Sequence, residues 1–440
     1  MPTLPRFARS FSAWFCLTLL ASCISGRFDA ATAGTMSPPL AAGADDGKVY
    51  YDTSKLTPKG KPESRRMVGY FTNWSKSRQG CACQVEDIDG SLLTHLNYAF
   101  AQVGAGEKSN PSFSLEPTDP QDLGEHGGFQ QVTGLRHKYP ALKVLLSVGG
   151  WAHNDPPKAW RFTTMAATAK YRHEFIESAL SLLREYDFDG LDIDWEYPGS
   201  GERGGYSADR HNYVTLLAEL QAAMQAEAKR SGKPELLLTI AAPSSLWFLS
   251  GFELDEIHPH VDWINLMAYD FYGPWSHQTG ANAPLSADST PGGTTFIAHS
   301  VDSYLDQHVP PDKIVLGIAT YARSFAGVGS ADYGVSSTAA GFGGRCTGDP
   351  GVLGYFELEP ILQSGDYQVH WHDKTATPFA YNPSSRTFIS YDDPKSVALK
   401  ATFANEHHLG GAMFWALDLD DFKHGYPLLT AAKRALAAAP

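Results

Sequence analysis

Residues 189–198 read Asp189-Gly190-Leu191-Asp192-Ile193-Asp194-Trp195-Glu196-Tyr197-Pro198. Side chains on a β-strand alternate faces, so Asp192, Asp194 and Glu196 share one face and Leu191, Ile193 and Trp195 the other. The second face is so apolar that the strand is expected to be buried on both sides, as in a parallel sheet covered by helices. Three carboxyl groups stacked along a buried strand repel one another, and burial disfavours their charged forms. At least one is then expected to keep its proton near neutral pH and to be able to donate it. An arrangement that costly marks catalysis more often than structure.

Outward from this stretch the chain alternates short apolar runs with amphipathic segments, the pattern of a parallel α/β fold. Eight runs have strand character: 67–71, 95–100, 143–148, 190–195, 236–241, 263–268, 314–320 and 411–416. Between them, Phe175, Ile176, Leu180 and Leu183 form one helical stripe. After Asp209, taken as an N-cap, Tyr213, Leu216, Leu217, Leu220 and Met224 form another, and Gly232 supplies a stop. Eight such units predict a closed (β/α)8 TIM barrel, whose active site lies at the strand C-terminal ends, where the acidic run also ends. Residues 324–393 break the rhythm with a Gly-rich, aromatic and alternating stretch too long for an unstructured loop. They are expected to form a small α+β insertion between strands seven and eight, within a catalytic unit spanning 63–440.

The first 26 residues resemble an export signal. Arg6 and Arg9 precede an apolar run at 11–20 that is too short to span a membrane comfortably. The run ends in Leu20-Ala21-Ser22-Cys23, similar to a bacterial lipobox with Cys23 lipidated; cleavage after Ala33 without a lipid is the alternative. Either way the protein is expected to leave the cytoplasm, as a cell-envelope lipoprotein or a secreted monomer. A lipid would be its one link to a membrane. Residues 27–62, rich in Ala, Gly, Pro, Ser and Thr, are expected to be a flexible tether. Cys81, Cys83 and Cys346 then remain, allowing one disulfide whose partners the sequence leaves open.

The net charge of −13 argues against nucleic acid as a ligand, and 10 Trp, 20 Tyr and 23 Phe exceed what a core needs. Residues 103–109 lack the glycine before lysine that a phosphate-binding loop requires. No Gly-x-Ser-x-Gly or His-Glu-x-x-His occurs, and no Cys or His pairs sit at zinc spacing. Neither a metal nor a cofactor is expected.

The acidic run, D-G-x-D-x-D-x-E, resembles the signature of glycoside hydrolase family 18, the chitinases. Other motifs extend the resemblance from residue 67 to the C-terminus. Ser147-Val148-Gly149-Gly150-Trp151 is similar to the family's S-x-G-G, and Met267-Ala268-Tyr269-Asp270 to its M-x-Y-D. Tyr321-Ala322-Arg323, expected to end the seventh strand, stands where Tyr-Gly-Arg is commoner. The resemblance implies chitin or chitooligosaccharides as substrate, with Glu196 as general acid and base. It implies that Asp194 orients the substrate's acetamido group, that Asp192 tunes Asp194 by sharing a proton or hydrogen bond, and that Tyr269 holds the acetamido oxygen. Trp415 would floor the sugar site, Tyr70 and Phe100 would wall it, and Trp151 would stack a sugar beyond the scissile bond. Gly149 and Gly150 would allow close backbone approach, and Tyr197, Met267, Asp270, Tyr321 and Arg323 would complete the binding surface.

A retaining glycosidase ordinarily uses a nucleophilic carboxylate about 5 Å from its acid. Here the nearest acids lie on the same strand at roughly 3.3 Å per residue, beneath Glu196 rather than across the sugar. The family's solution, attack by the substrate's own acetamido oxygen, fits that absence. Two alternatives stand beside a chitinase: a chitin-binding lectin on the same fold, and an endo-β-N-acetylglucosaminidase acting on glycoprotein glycans.

Overall fold

The computed structural model describes residues 47–57, 59, 65–106, 111–288 and 295–438. The expected export signal, Cys23 and most of the expected tether lie outside the described residues. Among those described, no helix is long and apolar enough to cross a membrane.

Eight parallel strands form the barrel: Arg66–Thr72, His95–Val103, Lys143–Gly149, Gly190–Asp194, Leu237–Pro243, Trp263–Met267, Ile314–Ala319 and Gly411–Trp415. They are neighbours in chain order, and the first pairs with both the second (Val68 beside His95) and the eighth (Arg66 beside Gly411), which closes the ring. Closure leaves no open edge among the eight. A short strand, Leu115–Pro117, adds antiparallel to the second. Every residue of the fourth strand is buried, as its apolar outer face requires. Beyond its end, Trp195 stacks on Phe162 at 5.2 Å and meets Tyr213 edge-on at 5.3 Å, anchoring the strand to the helical layer.

The two expected helical stripes lie on helices Ala169–Glu185 and Asp209–Ser231, and their stripe residues are buried. Gly232 ends the second in a left-handed conformation, φ 71°. Asp209 is not the N-cap but the first helical residue. Its Oδ2 turns back to accept from the backbone N–H of Gly199 and Tyr206 and from Thr163 Oγ1 at 2.8–3.2 Å. It therefore braces the loop that follows the catalytic-looking strand instead of satisfying its own helix.

The seventh barrel strand ends at Ala319, and Tyr321–Ala326 opens a second, six-stranded sheet that runs on to Ser390. Tyr321-Ala322-Arg323 therefore belongs to the insertion rather than to the barrel strand that precedes it. Strands Val352–Gly354, Gln368–His372, Thr377–Asn382 and Thr387–Ser390 continue this sheet, with helix Tyr355–Gln363 between the first two. Cys81, after the first barrel strand, is disulfide-bonded to Cys346 of this insertion, and Cys83 is a buried free thiol.

The tether reaches its end earlier than expected. Tyr50 stacks on His173 at 4.1 Å, Tyr51 hydrogen-bonds His173 and Glu177, and Thr57 bonds Gln221 and Gln225. Lys59 pairs with Glu235 and Asp262. Aromatic and charged side chains hidden in a Pro- and Gly-rich composition fasten this segment to the outer helices.

The disulfide closes a span of 265 residues and joins two loops that share no backbone pairing. A Cys81→Ser, Cys346→Ser double variant is expected to lose about 2–5 kcal/mol with the barrel retained. Denaturant unfolding followed by far-ultraviolet circular dichroism, with and without reductant on the parent protein, checks this.

Candidate active site

Asp192 is fully buried and receives four hydrogen bonds, two on each oxygen. Tyr70 Oη (2.7 Å) and Ser147 Oγ (2.5 Å) donate to Oδ2, and Thr239 Oγ1 (2.6 Å) and Asn265 Nδ2 (3.2 Å) to Oδ1. These donors come from the first, third, fifth and sixth strands, so the barrel's own curvature brings them together. Asn265 is itself oriented, because its Oδ1 accepts from Trp263 Nε1 at 3.0 Å. Burial pushes the Asp192 carboxyl up and the four donors pull it back down, leaving it above the usual range. Its bonds run to these four neighbours and not to Asp194.

Asp194, one pleat further towards the strand's end, is as deeply placed but has no such support. Its Oδ1 is buried with no hydrogen-bond partner. Burial, then the charges of Glu196 and Asp192, drive it well above the carboxylate range. Glu196 follows, buried, with its carboxyl pushed up to about 7 by burial; a hydrogen bond with Tyr197 and the charge of Arg203 oppose the rise. Asp194 and Glu196 cannot both ionise at low cost, so this end of the column holds at least one proton near neutral pH. Tyr269, beyond the end of the sixth strand, feels the charges of both, and its buried phenol stays protonated as a donor.

The glycines make the column fit. A Cβ on Gly149, whose φ is +118°, would stand 2.0 Å from the Asp194 carbonyl oxygen, and one on Gly150 2.4 Å from the Phe100 ring. The N–H of Gly150 donates to that same Asp194 carbonyl at 2.8 Å. Trp415, half-buried at the end of the eighth strand, lies 5.6 Å from Phe100 in a stacked pair and 5.4 Å from Tyr70. The peptide bonds Ala99–Phe100, within the second strand, and Glu196–Tyr197 and Trp415–Ala416, at the ends of the fourth and eighth, are cis.

A second group sits at the junction with the insertion. Asp270 Oδ1 accepts from Tyr321 Oη (2.7 Å) and from Arg323 Nε (2.8 Å) and Nη2 (2.6 Å). The Arg323 guanidinium also lies 4.9 Å from the Trp275 ring centroid, and Tyr321 touches Tyr269 edge-on at 6.0 Å. Met267 is half-buried just below. Tyr197 is buried and stacks on Phe248 at 4.3 Å, a wall rather than an open platform. Trp151 is 53% exposed and presents its indole outward.

Sequence inspection missed several contributors. Thr239 and Asn265 each stand as a lone polar residue inside an apolar strand, which is the signal that could have found them. Trp74, Trp247 and Trp275 are exposed just after the first, fifth and sixth strands, positions where an unneeded aromatic invites a sugar face. Arg203 had no such signal. Among the described residues, the one grouping able to present three ligand atoms to a metal is His211, Glu253 and Glu256. His211 belongs to helix Asp209–Ser231, and Arg210 beside it already pairs with Glu253 at 3.7 Å.

The family profile described as Glycosyl hydrolases family 18 matches residues 66–420. The chain is 38% identical over 384 residues to chitotriosidase-1 of Mus musculus, covering 84% of this chain and 78% of that one. It is 36% identical over 405 residues to chitinase A1 of Niallia circulans, covering 81% of this chain and 57% of that one. Among solved structures it aligns with the Ostrinia furnacalis group IV chitinase in complex with allosamidin at TM-score 0.77 and 32% identity, over 85% and 99% of the two chains. Human YKL-39, described as a pseudo-chitinase with retained chitooligosaccharide binding, aligns at TM-score 0.76 and 31% identity, over 85% and 100%.

Gly149→Ala is expected to cost about 3 kcal/mol, because strain at its φ adds to the clash with Asp194. Gly134→Ala, in an open helical position with nothing near its would-be Cβ, should instead gain up to about 1 kcal/mol. Urea titrations of the two variants beside the parent decide between them.

Proposed function

This chain belongs to family 18 of the glycosyl hydrolases, and from that premise we propose that it is a chitinase cleaving β-1,4-linked N-acetylglucosamine polymers or oligomers. The observation that carries the proposal is the graded carboxyl column, in which Glu196 stands at the open end with its carboxyl raised to about 7. A proton held there near neutral pH is available to a leaving oxygen.

The other acids whose charges act on Glu196 are Asp270 and Asp155, and each is paired with an arginine, Arg323 and Arg203 respectively. That pairing lowers their nucleophilicity, which supports substrate assistance. In the proposed cycle the substrate's acetamido oxygen attacks C1, the glycosidic C1–O bond breaks, and the Glu196 proton passes to the departing oxygen. Asp194 accepts the acetamido N–H as positive charge develops, using the oxygen that lacks a partner within the protein. Tyr269 donates to the acetamido oxygen, and Asp192 limits the charge on Asp194 by its own fixed field. Water then adds to C1, gives its proton to Glu196 and reopens the oxazolinium ring, with net retention. Export belongs to the same proposal and is supported by the Cys81–Cys346 disulfide, since such bonds persist outside the reducing cytoplasm.

Binding without cleavage is the second reading, because YKL-39 shares the fold and is described as a pseudo-chitinase. The intact Glu196, Asp194 and Asp192 favour hydrolysis.

With N-acetylglucosamine hexamer, early products should be the β-anomer by NMR, and Glu196→Gln should lower kcat by roughly 10²–10⁴-fold. Hexamer bound by the parent without product would establish the binding-only role, and early α-anomer would exclude substrate assistance. Because Glu196 must be protonated to act as the acid, activity is expected to fall as pH rises through about 7. A kcat/KM profile from pH 4 to 9 measures that limb. Cellohexaose, which lacks the acetamido group, should give no turnover.

A further inference from the structure

Arg203 is buried, although it lies in a surface loop and carries a charge that ordinarily seeks water. It ends a short 3-10 turn, Gly201–Arg203, seven residues beyond Glu196. The loop is built to hold it. Gly204 has φ +77° and lies where a Cβ would stand 2.7 Å from Ala159, so only glycine lets the loop pack this closely. Asn154 Nδ2 donates to the Arg203 carbonyl at 3.3 Å, and Asp209 clamps the N–H groups of Gly199 and Tyr206 on either side.

Each part of the guanidinium then has a separate partner. Nε donates to the Glu196 carbonyl at 3.2 Å, Nη1 to Asp155 Oδ1 at 2.7 Å, and Nη2 to the Trp151 carbonyl. The guanidinium carbon also lies 3.7 Å from the Trp151 ring centroid, covering one indole face while that residue stays half exposed. The planar fork of arginine suits this combination of stacking and divergent donors, and a lysine could not reproduce it.

We propose that Arg203 is a positioning residue that holds the peptide of Glu196 and backs the indole of Trp151, so that the proton donor and the sugar platform are fixed by one side chain. This rests on the function proposed above. The groups acting on Glu196 are Asp194 from its own strand and Tyr197 beside it. Asp155 and Arg203 come from the loops after the third and fourth strands, and Asp270 and Tyr269 from beyond the sixth. Arg203 is the cation among them, and its charge favours the ionised form of Glu196, whereas Asp155 and Asp270 disfavour it.

The test titrates the Glu196 carboxyl by 13C NMR in the parent, Arg203→Gln, Arg203→Lys and Asp155→Asn, and measures hexamer binding and hydrolysis on the same samples. Arg203→Gln should move the Glu196 midpoint and the alkaline limb of activity up by about one pH unit, and raise KM for the hexamer about tenfold. Arg203→Lys keeps the charge but not the flat stack, so its midpoint should stay near that of the parent while KM still rises. Asp155→Asn, at a half-exposed acid where the amide keeps the same shape, should move the midpoint down. Unchanged midpoints in Arg203→Gln and Asp155→Asn, or an unchanged KM in both Arg203 variants, would overturn the proposal. If Arg203→Gln does not give a cooperative melt, the Asp155→Asn midpoint and the Arg203→Lys KM decide it. A parent that binds hexamer without cleaving it would sink the hydrolytic function alone, because the NMR midpoints and binding constants would still judge Arg203.

Discussion

The structure turns on the burial of one carboxyl group. An ionised Asp192 left alone in the barrel would cost several kcal/mol in lost hydration, and hydrogen bonds from Tyr70, Ser147, Thr239 and Asn265 offset that cost. None of the four is near Asp192 in the chain apart from its strand neighbour's register, Ser147 beside Asp192 and Asp192 beside Thr239. Tyr70 and Asn265, on strands that do not adjoin the fourth, reach it across the barrel interior because the sheet closes. Once Asp192 is anchored, Asp194 and Glu196 must lie above it in the same column, Asp194 without a partner for its Oδ1 and Glu196 eased by Tyr197 and Arg203.

The loops at the strand ends turn this column into a site. Gly149 and Gly150 let the third strand press against the Asp194 carbonyl, and Phe100 and Trp415 stack beside them. The insertion enters through Tyr321 and Arg323, which take hold of Asp270, one of the acids whose charge raises the Glu196 carboxyl. Arg203 does the corresponding work on the other flank, between Trp151, Asp155 and Glu196. One arginine thus pairs with each of the two acids, Asp270 and Asp155, whose charges raise the Glu196 carboxyl. Relatives that share the fold include chitinases and a pseudo-chitinase, consistent with chemistry residing in a few strand-end side chains rather than in the barrel.

Much of this was legible from periodicity. Alternation alone put Asp192, Asp194 and Glu196 on one face, and the spacing of apolar runs located all eight barrel strands, with ends off by a few residues. Errors arose where a residue's role depends on a distant partner. Asp209 looked like a helix cap and instead braces a loop, and Tyr321 looked like the end of a barrel strand and instead begins the second sheet. The last residues assigned to the tether carry Tyr50, Tyr51 and Lys59, whose partners at His173, Glu177 and Asp262 lie more than a hundred positions away.

By itself the sequence determined that three acids would share a buried face at the end of a parallel strand, because side-chain alternation and hydrophobic spacing are local properties of the chain. Only the tertiary structure decided which acid is held ionisable, which lacks a partner and which keeps its proton. Those states depend on donors and charges from the first, third, fifth and sixth strands and on Arg203 and Asp155 from the loops. Desolvation and Coulomb interaction act through space, and no spacing along the chain encodes the distances that set them.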